Sequence, residues 1–330
     1  MQRGLQWVVL ALVSTLLISC AAVVEESLSM RPSGFSNEGD TEASLRNLKL
    51  TTREFCLPFL GGCTGYLYGK PYHLLGQDAQ DDVAKFDFDF AFDVGDGIEE
   101  YQLNLKREEV NPQRGTVVLL HGYGGNKSTM AINAAYFMFL GYHVVVPDLL
   151  GHGQSTVDQM GFGVRDAELI TALLDSLPQR EMPKPLYLAG LSMGTVAAAH
   201  VAKQRDDVDG LILFAPMAPM DEATNAMLEA WYPQLSKLMP VASVREGVIG
   251  AMQRQDIELA DTDLKQLLPQ LALPTLIIAS DMDTVAPYER YLPLESAERT
   301  LVMAPGRHHI TVGIVDNELH QHISAWLTAQ

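Results

Sequence analysis

The stretch Leu186-Tyr187-Leu188-Ala189-Gly190-Leu191-Ser192-Met193-Gly194-Thr195-Val196-Ala197-Ala198-Ala199-His200-Val201-Ala202-Lys203 changes character in its middle. Leu186 to Ala189 is an apolar run that suits a buried strand. Thr195 to Lys203 suits a helix. Between them, Gly-Leu-Ser-Met-Gly forces a very tight turn. The two glycines remove Cβ atoms that would clash there. Ser192 is then expected in strained backbone angles, with its hydroxyl projecting from the end of a sheet. That geometry suits a nucleophile. A pentapeptide is a short signal, so its surroundings must carry the reading.

Outward from Ser192 the texture is regular. Short apolar strands are expected at Val117–Leu120, His143–Val146, Leu186–Ala189, Leu211–Phe214, Leu276–Ala279 and Leu301–Met303. Helices are expected near Met130–Leu140, Val164–Leu177, Thr195–Lys203 and Leu319–Thr328. Apolar strands interleaved with helices mean a parallel sheet covered on both faces. Phe86 to Asp93 alternates strictly, Gly95-Asp96-Gly97 turns, and Ile98 to Leu105 returns, so an antiparallel hairpin leads into that sheet. Nearly sixty residues separate Phe214 from Thr275, far more than a simple crossover needs. The stretch 216–273 is therefore expected to be a helical cap. Its Met217, Met220, Met227, Met239 and Met252 either line an apolar acyl site or fill a core.

A serine needs a base and an acid to orient that base. The expected chain order is serine, acid, histidine. Asp283, after the strand ending at Ala279, is the chosen acid, with Asp281 as its alternative. His309, after Pro305-Gly306, is the chosen base, with His308 as its alternative. Neighbouring histidines face different ways, so only one can serve. An oxyanion needs two preorganised N–H donors. Met193 supplies one expected donor. Tyr123, in the glycine-rich loop His121-Gly122-Tyr123-Gly124-Gly125-Asn126-Lys127-Ser128, supplies the other. That loop lacks the spacing of a nucleotide site. No cofactor and no metal is expected.

These pieces resemble the α/β-hydrolase superfamily, nearest its esterase, lysophospholipase and monoacylglycerol-lipase branch. The resemblance rests on His121-Gly122, Asp148-Leu149-Leu150-Gly151-His152-Gly153-Gln154-Ser155, the serine pentapeptide, Asp283 with Val285 and Pro287, and Pro305-Gly306 before His309. It covers about residues 115–330. It implies a mostly parallel sheet of about eight strands flanked by helices. It also implies that Asp148 and its loop are structural, near the site mouth, and that the cap sets substrate choice.

The N-terminus reads differently. One positive charge, an apolar stretch from Val8 to Ile18 and small residues after it describe a secretory signal. Leu17-Ile18-Ser19-Cys20 resembles the lipobox of bacterial lipoproteins, so residues 1–19 are expected to be removed and Cys20 lipid-modified. Ala21 after that cysteine fits the outer membrane, facing the periplasm, in a Gram-negative host. Residues 20–50 read as a flexible tether and 51–85 as a segment packed before the domain that spans 86–330. Outside the cytoplasm Cys56 and Cys63 are expected to form a disulfide. The formal charge of −18 argues against nucleic acid and against a polybasic hold on lipid. The membrane partner is therefore expected through Cys20 alone.

Three functions follow. The first is hydrolysis of carboxylic esters, with a small-molecule, lipid-like ester as partner. The second keeps the three residues but cleaves an amide, peptide or thioester. The third is a surface lipoprotein that binds a ligand without catalysis.

Overall fold

The computed structural model describes residues 20–32, 44–57, 61–75, 84–95, 97–110 and 113–330. The signal read over 1–19 lies outside them. The main sheet has eight strands: β1 (Thr51–Leu57), β2 (Gly62–Gly69), β5 (Thr116–Leu120), β6 (His143–Pro147), β7 (Leu186–Leu191), β8 (Gly210–Phe214), β9 (Thr275–Ala279) and β10 (Arg299–Met303). β3 (Lys85–Asp93) and β4 (Ile98–Lys106) form a separate antiparallel ribbon. Strand order is β1-β2-β6-β5-β7-β8-β9-β10. The strands from β6 to β10 run parallel, and β1 and β2 close one edge in the antiparallel sense. Besides the helical residues 20–29 and 44–47, the helices among the described residues are α1 (Ala131–Leu140), α2 (Asp166–Ser176), α3 (Met193–Gln204), α4 (Met220–Trp231), α5 (Pro233–Ser236), α6 (Val241–Gln253), α7 (Leu264–Leu267) and α8 (Asn317–Ala329).

The apolar strands are explained by which faces they bury. Val118 and Leu120 of β5, Leu186 and Leu188 of β7, and Ile277 and Ala279 of β9 pack into one core with α3 and the cap. Their neighbours Val117, Leu119, Tyr187, Ala189, Leu276 and Ile278 pack into the other, with α1 and α8. A strand buried on both faces has no polar side to show, so its sequence runs apolar. The parallel strands also point their C-terminal ends the same way. The loops after β5, β7, β9 and β10 thus meet above one edge of the sheet.

Three expectations change. Residues 51–85 are no preliminary segment, because β1 and β2 are the edge of the main sheet. The ribbon at 85–106 is the one that stands apart. β2 hid from periodicity because it is buried on both faces and broken by Gly62, Gly65 and Gly69. Cys56 and Cys63 face each other across β1 and β2 and are joined by the expected disulfide.

The tether does not describe residues 20–32 or 44–50. Residues 20–29 are helical and lie along α6. A Cβ on Gly247 would stand 2.4 Å from the Ala21 carbonyl oxygen and 2.6 Å from Val24. Glu25 pairs with Arg254 at 2.5 Å. Arg31 donates to the Gly153 carbonyl at 2.9 Å, so this segment straps the cap to the body. Val24 and Leu28, four apart, bury one helical stripe that the polar composition obscured. Leu45 and Leu50 are buried in the opposite core. Met217, Met220, Met227 and Met252 are likewise buried in core packing. They fill the base of the cap and give no evidence for an acyl site.

Candidate active site

The turn from β7 to α3 is as tight as its glycines imply. A Cβ on Gly190 would sit 2.4 Å from the Gly194 carbonyl oxygen, and one on Gly194 would sit 2.1 Å from that of Leu120. Neither distance is physically possible, so both positions require glycine. Ser192 between them has φ 52° and ψ −118°. An L-residue holds such angles only where its surroundings impose them. Here the Ser192 N–H donates to the Phe214 carbonyl at 3.0 Å, and its carbonyl accepts from the Thr195 N–H at 2.9 Å.

Three of the expected residues come together. His309 Nε2 lies 2.8 Å from Ser192 Oγ. His309 Nδ1 lies 2.8 Å from Asp283 Oδ2. Asp283 is buried, and its other oxygen accepts the Val285 and Ala286 N–H groups at 2.9 Å each. Those two bonds fix the carboxylate plane. Because Nδ1 faces a carboxylate, the proton of a neutral imidazole belongs there, and the Nε2 lone pair faces the hydroxyl. The alternatives lie elsewhere. Asp281 accepts the Gly306 N–H at 2.8 Å and shapes that turn. His308 turns away from Ser192, with Nδ1 2.5 Å from Glu99 Oε1.

The two expected amide donors are available. Met193 begins α3, so its N–H has no partner within the helix. The Tyr123 N–H has no acceptor among the described residues. His121 orients that amide. It is fully buried, and burial lowers its pKa, so it stays neutral. Its Nε2 accepts the Leu149 N–H at 3.0 Å, which leaves Nδ1–H to donate to the Gly122 carbonyl at 2.8 Å. The Gly125 N–H donates to the same carbonyl at 3.1 Å. A trans peptide places its N–H opposite its C=O. Anchoring Gly122 O therefore sets the direction of the Tyr123 N–H.

Sequence reasoning missed two features of this region. Lys127, in the same loop, is buried against Asp148, Nζ to Oδ2 2.6 Å. A lone lysine in a glycine-rich loop offered only a weak hint. The second is Glu99. It shares strand parity with Tyr101, Leu103 and Leu105, which are buried, and that parity was the available signal.

His152 lies beneath the loop, its ring edge-on to His121 and to Tyr123, with centroids 5.2 and 6.1 Å apart. Its Nδ1–H donates to the Leu150 carbonyl at 2.8 Å. Its buried Nε2 has no partner among the described residues. Burial, with His121 nearby, pushes its pKa down to about 3. A histidine depressed on folding contributes stability above its unfolded pKa of about 6.5, and that stability is lost as pH falls toward the folded value. Between pH 6.5 and 5.0 the unfolded chain takes up a proton that the folded chain refuses, a loss of about 1.5 kcal/mol. His152→Phe keeps the ring packing and is expected to remove that loss in urea unfolding at the two pH values. An unchanged pH difference would mean that His152 is not its source.

Comparisons with known proteins agree with the fold. A family model described as serine aminopeptidase, S33 (Hydrolase_4), matches residues 111–263. Lipase 1 of Psychrobacter immobilis is 35% identical over 98 residues, 29% of this chain and 30% of the relative. A lysophosphatidylserine lipase of Danio rerio is 27% identical over 183 residues, 52% of this chain and 44% of the relative. The monoglyceride lipase of Homo sapiens is 23% identical, over 64% of this chain and 82% of the relative. The chain thus spans less than half the length of the first two curated relatives. Among solved structures, a bacterial membrane phospholipase A superposes with TM-score 0.53 at 19% identity, over 100% of this chain and 99% of its own. The Pyrococcus furiosus esterase superposes with TM-score 0.51 at 17% identity, over 78% of this chain and 95% of its own. The chain has the α/β-hydrolase fold.

Proposed function

We propose that this chain is a serine hydrolase that cleaves carboxylic esters, lipid-like esters among them, through an acyl-enzyme intermediate. The observation that carries the reading is the continuous line Asp283–His309–Ser192, together with the Tyr123 and Met193 amides, which have no acceptor among the described residues. Ser192 Oγ attacks the ester carbonyl while His309 Nε2 takes its proton. The developing oxyanion lies between the Tyr123 and Met193 N–H groups. The Asp283 carboxylate stabilises the imidazolium. Collapse expels the alcohol, which takes the proton back from His309. Water, deprotonated by His309, then releases the acid. The lipases among the similar proteins support ester substrates. The matching model's description, serine aminopeptidase, favours an amide or peptide bond as the second reading, since acyl transfer uses the same groups.

Attachment to the cell envelope through a lipid-modified, palmitoylated Cys20 belongs to the same proposal. The cap supports it by exposing Trp231, Tyr232, Leu235, Leu238 and Val241. α6 carries Val241 at its start and meets Ala21, the neighbour of Cys20, at Gly247, six residues further along. No helix among the described residues is long and apolar enough to cross a membrane.

A fluorophosphonate probe on protein taken from its native envelope tests both parts. The probe should label the Ser192 peptide, and the digest should show an acylated Cys20 as the N-terminus. Turnover of matched ester and amide substrates over a range of acyl lengths then separates the two bond classes. Folded protein that stays unlabelled would favour the binding module over an enzyme. An unmodified Cys20 would remove the anchor.

A further inference from the structure

We infer that Glu99, on the β3–β4 ribbon, is a positioning residue that clamps the turn carrying His309 and so selects His309 over His308 as the partner of Ser192. This rests on the hydrolase reading above only for its kinetic consequence. The geometry stands by itself. His309 sits in the turn His308–Thr311, closed by the Thr311 N–H donating to the His308 carbonyl at 2.9 Å. Glu99 grips both ends of that turn. Its Oε1 accepts the His308 backbone N–H at 3.0 Å and lies 2.5 Å from His308 Nδ1. Its Oε2 accepts the Thr311 hydroxyl at 2.5 Å and the Tyr101 hydroxyl. One carboxylate thus takes four donors, three of them from the turn.

His309 is tied by its imidazole to Asp283 and Ser192, and the peptide groups that aim that imidazole belong to its neighbours. Holding residues 308 and 311 fixes the backbone on both sides of it. The same carboxylate draws the His308 ring away from Ser192 and Asp283. Glu99 touches neither Ser192 nor His309, so its effect passes through the turn. Burial works to raise the Glu99 pKa, but the hydrogen bonds from Thr311, Tyr101 and His308 outweigh it and hold the group below the usual carboxylate range. It therefore grips as an anion.

The ribbon is built to present this group. It lies outside the main sheet, yet Tyr101, Leu103 and Leu105 on the same face as Glu99 are buried. The Asn104 N–H donates to Asn317 Oδ1 at 2.9 Å, which fastens β4 to the start of α8. The Arg307 guanidinium stacks on the Tyr101 ring, 4.6 Å from its centroid, and pairs with Asp316 at 2.5 Å. The loop from β10 to α8 is thus held from the ribbon side at several points, and Glu99 is the one nearest His309.

The test reads geometry and rate separately. In the wild type, the His309 Nδ1 proton, hydrogen-bonded to buried Asp283, should give a proton NMR signal downfield of the amides, assigned by its absence from His309→Ala. In Glu99→Ala that signal should broaden or vanish. The labelling rate by fluorophosphonate, and kcat on esters, should fall by up to about 100-fold with KM little changed, as expected when a reacting group is displaced by about 1 Å. Glu99→Gln retains one acceptor oxygen and should lie between the two. Should Glu99→Ala fail to fold, Thr311→Val removes one grip alone and should show the same signs more weakly. An unshifted NMR signal with an unchanged labelling rate in folded Glu99→Ala would overturn the clamp. A wild type that shows the NMR signal but never reacts with the probe would instead overturn the hydrolase reading, while the NMR comparison still decides the role of Glu99.

Discussion

Ser192→Ala and His309→Ala are each expected to lower kcat on a good ester substrate by about 10⁶-fold, and the double variant by no more than either alone. In the proposed mechanism the two residues act as one unit. Removing Oγ leaves no atom to form the acyl-enzyme. Removing the imidazole leaves Oγ protonated at neutral pH, where it is a poor nucleophile. Losing the second partner after the first therefore changes nothing further. Asp283→Asn should cost about 10⁴-fold, because an amide in that place stabilises the wrong tautomer of His309 and no longer balances its positive charge. The residual rate should sit above the uncatalysed one by about 10³-fold, supplied by the Tyr123 and Met193 amides and by binding. His308→Ala should act far more mildly, since its ring faces Glu99 and its backbone N–H survives the substitution. Steady-state kinetics on purified variants, with circular dichroism to confirm folding, decide the matter. Full activity in His309→Ala would overturn the assignment of the base, and additive losses in the double variant would mean that the two residues act in separate steps.

How much of this was readable beforehand depends on how local each signal was. The turn at Ser192 is a short-range demand on Gly190 and Gly194, so it shows in five residues. The strands β5, β7, β8 and β9 bury both faces and show as apolar runs. Asp281 and Asp283 both follow β9 in the expected chain order, and only the family pattern of Asp283 with Val285 and Pro287 favoured the second. The choice between His308 and His309 had a weaker basis, because the contact that turns His308 away comes from Glu99, 209 residues earlier in the chain. Pairing at that separation leaves no local trace. The same holds for the helix at 20–29, whose partner α6 lies more than two hundred residues away. A segment rich in polar residues reads as a tether until the surface that receives Val24 and Leu28 is seen.

Asp148→Ala is expected to cost about 3–5 kcal/mol of folding free energy, the range found when one partner of a buried ion pair is removed. Both side chains are almost wholly shielded, with Lys127 at 7% exposure and Asp148 at 0%. The Asp148 carboxylate also accepts the Lys127 N–H at 2.7 Å and the Gln154 N–H at 2.8 Å. Its removal strands an ammonium and two amide donors in one place. Lys127→Met should be milder, since it leaves the carboxylate with both amide donors and replaces the buried stem with an apolar one. Replacing both, as Lys127→Met with Asp148→Leu, should recover only part of the loss, because the two backbone donors remain without acceptors. The damage should also reach the rate. Asp148 ties the loop after β6 to the loop that carries Tyr123, and it does so at Lys127, four residues beyond that amide. Displacing this loop weakens one oxyanion donor, so kcat should fall in Asp148→Ala even at temperatures where the protein remains folded. Urea unfolding of the two single variants and the double variant, read beside ester kinetics, separates the two effects. A stability loss below about 1 kcal/mol in Asp148→Ala would mean that water reaches the site and that the pair is no buried anchor.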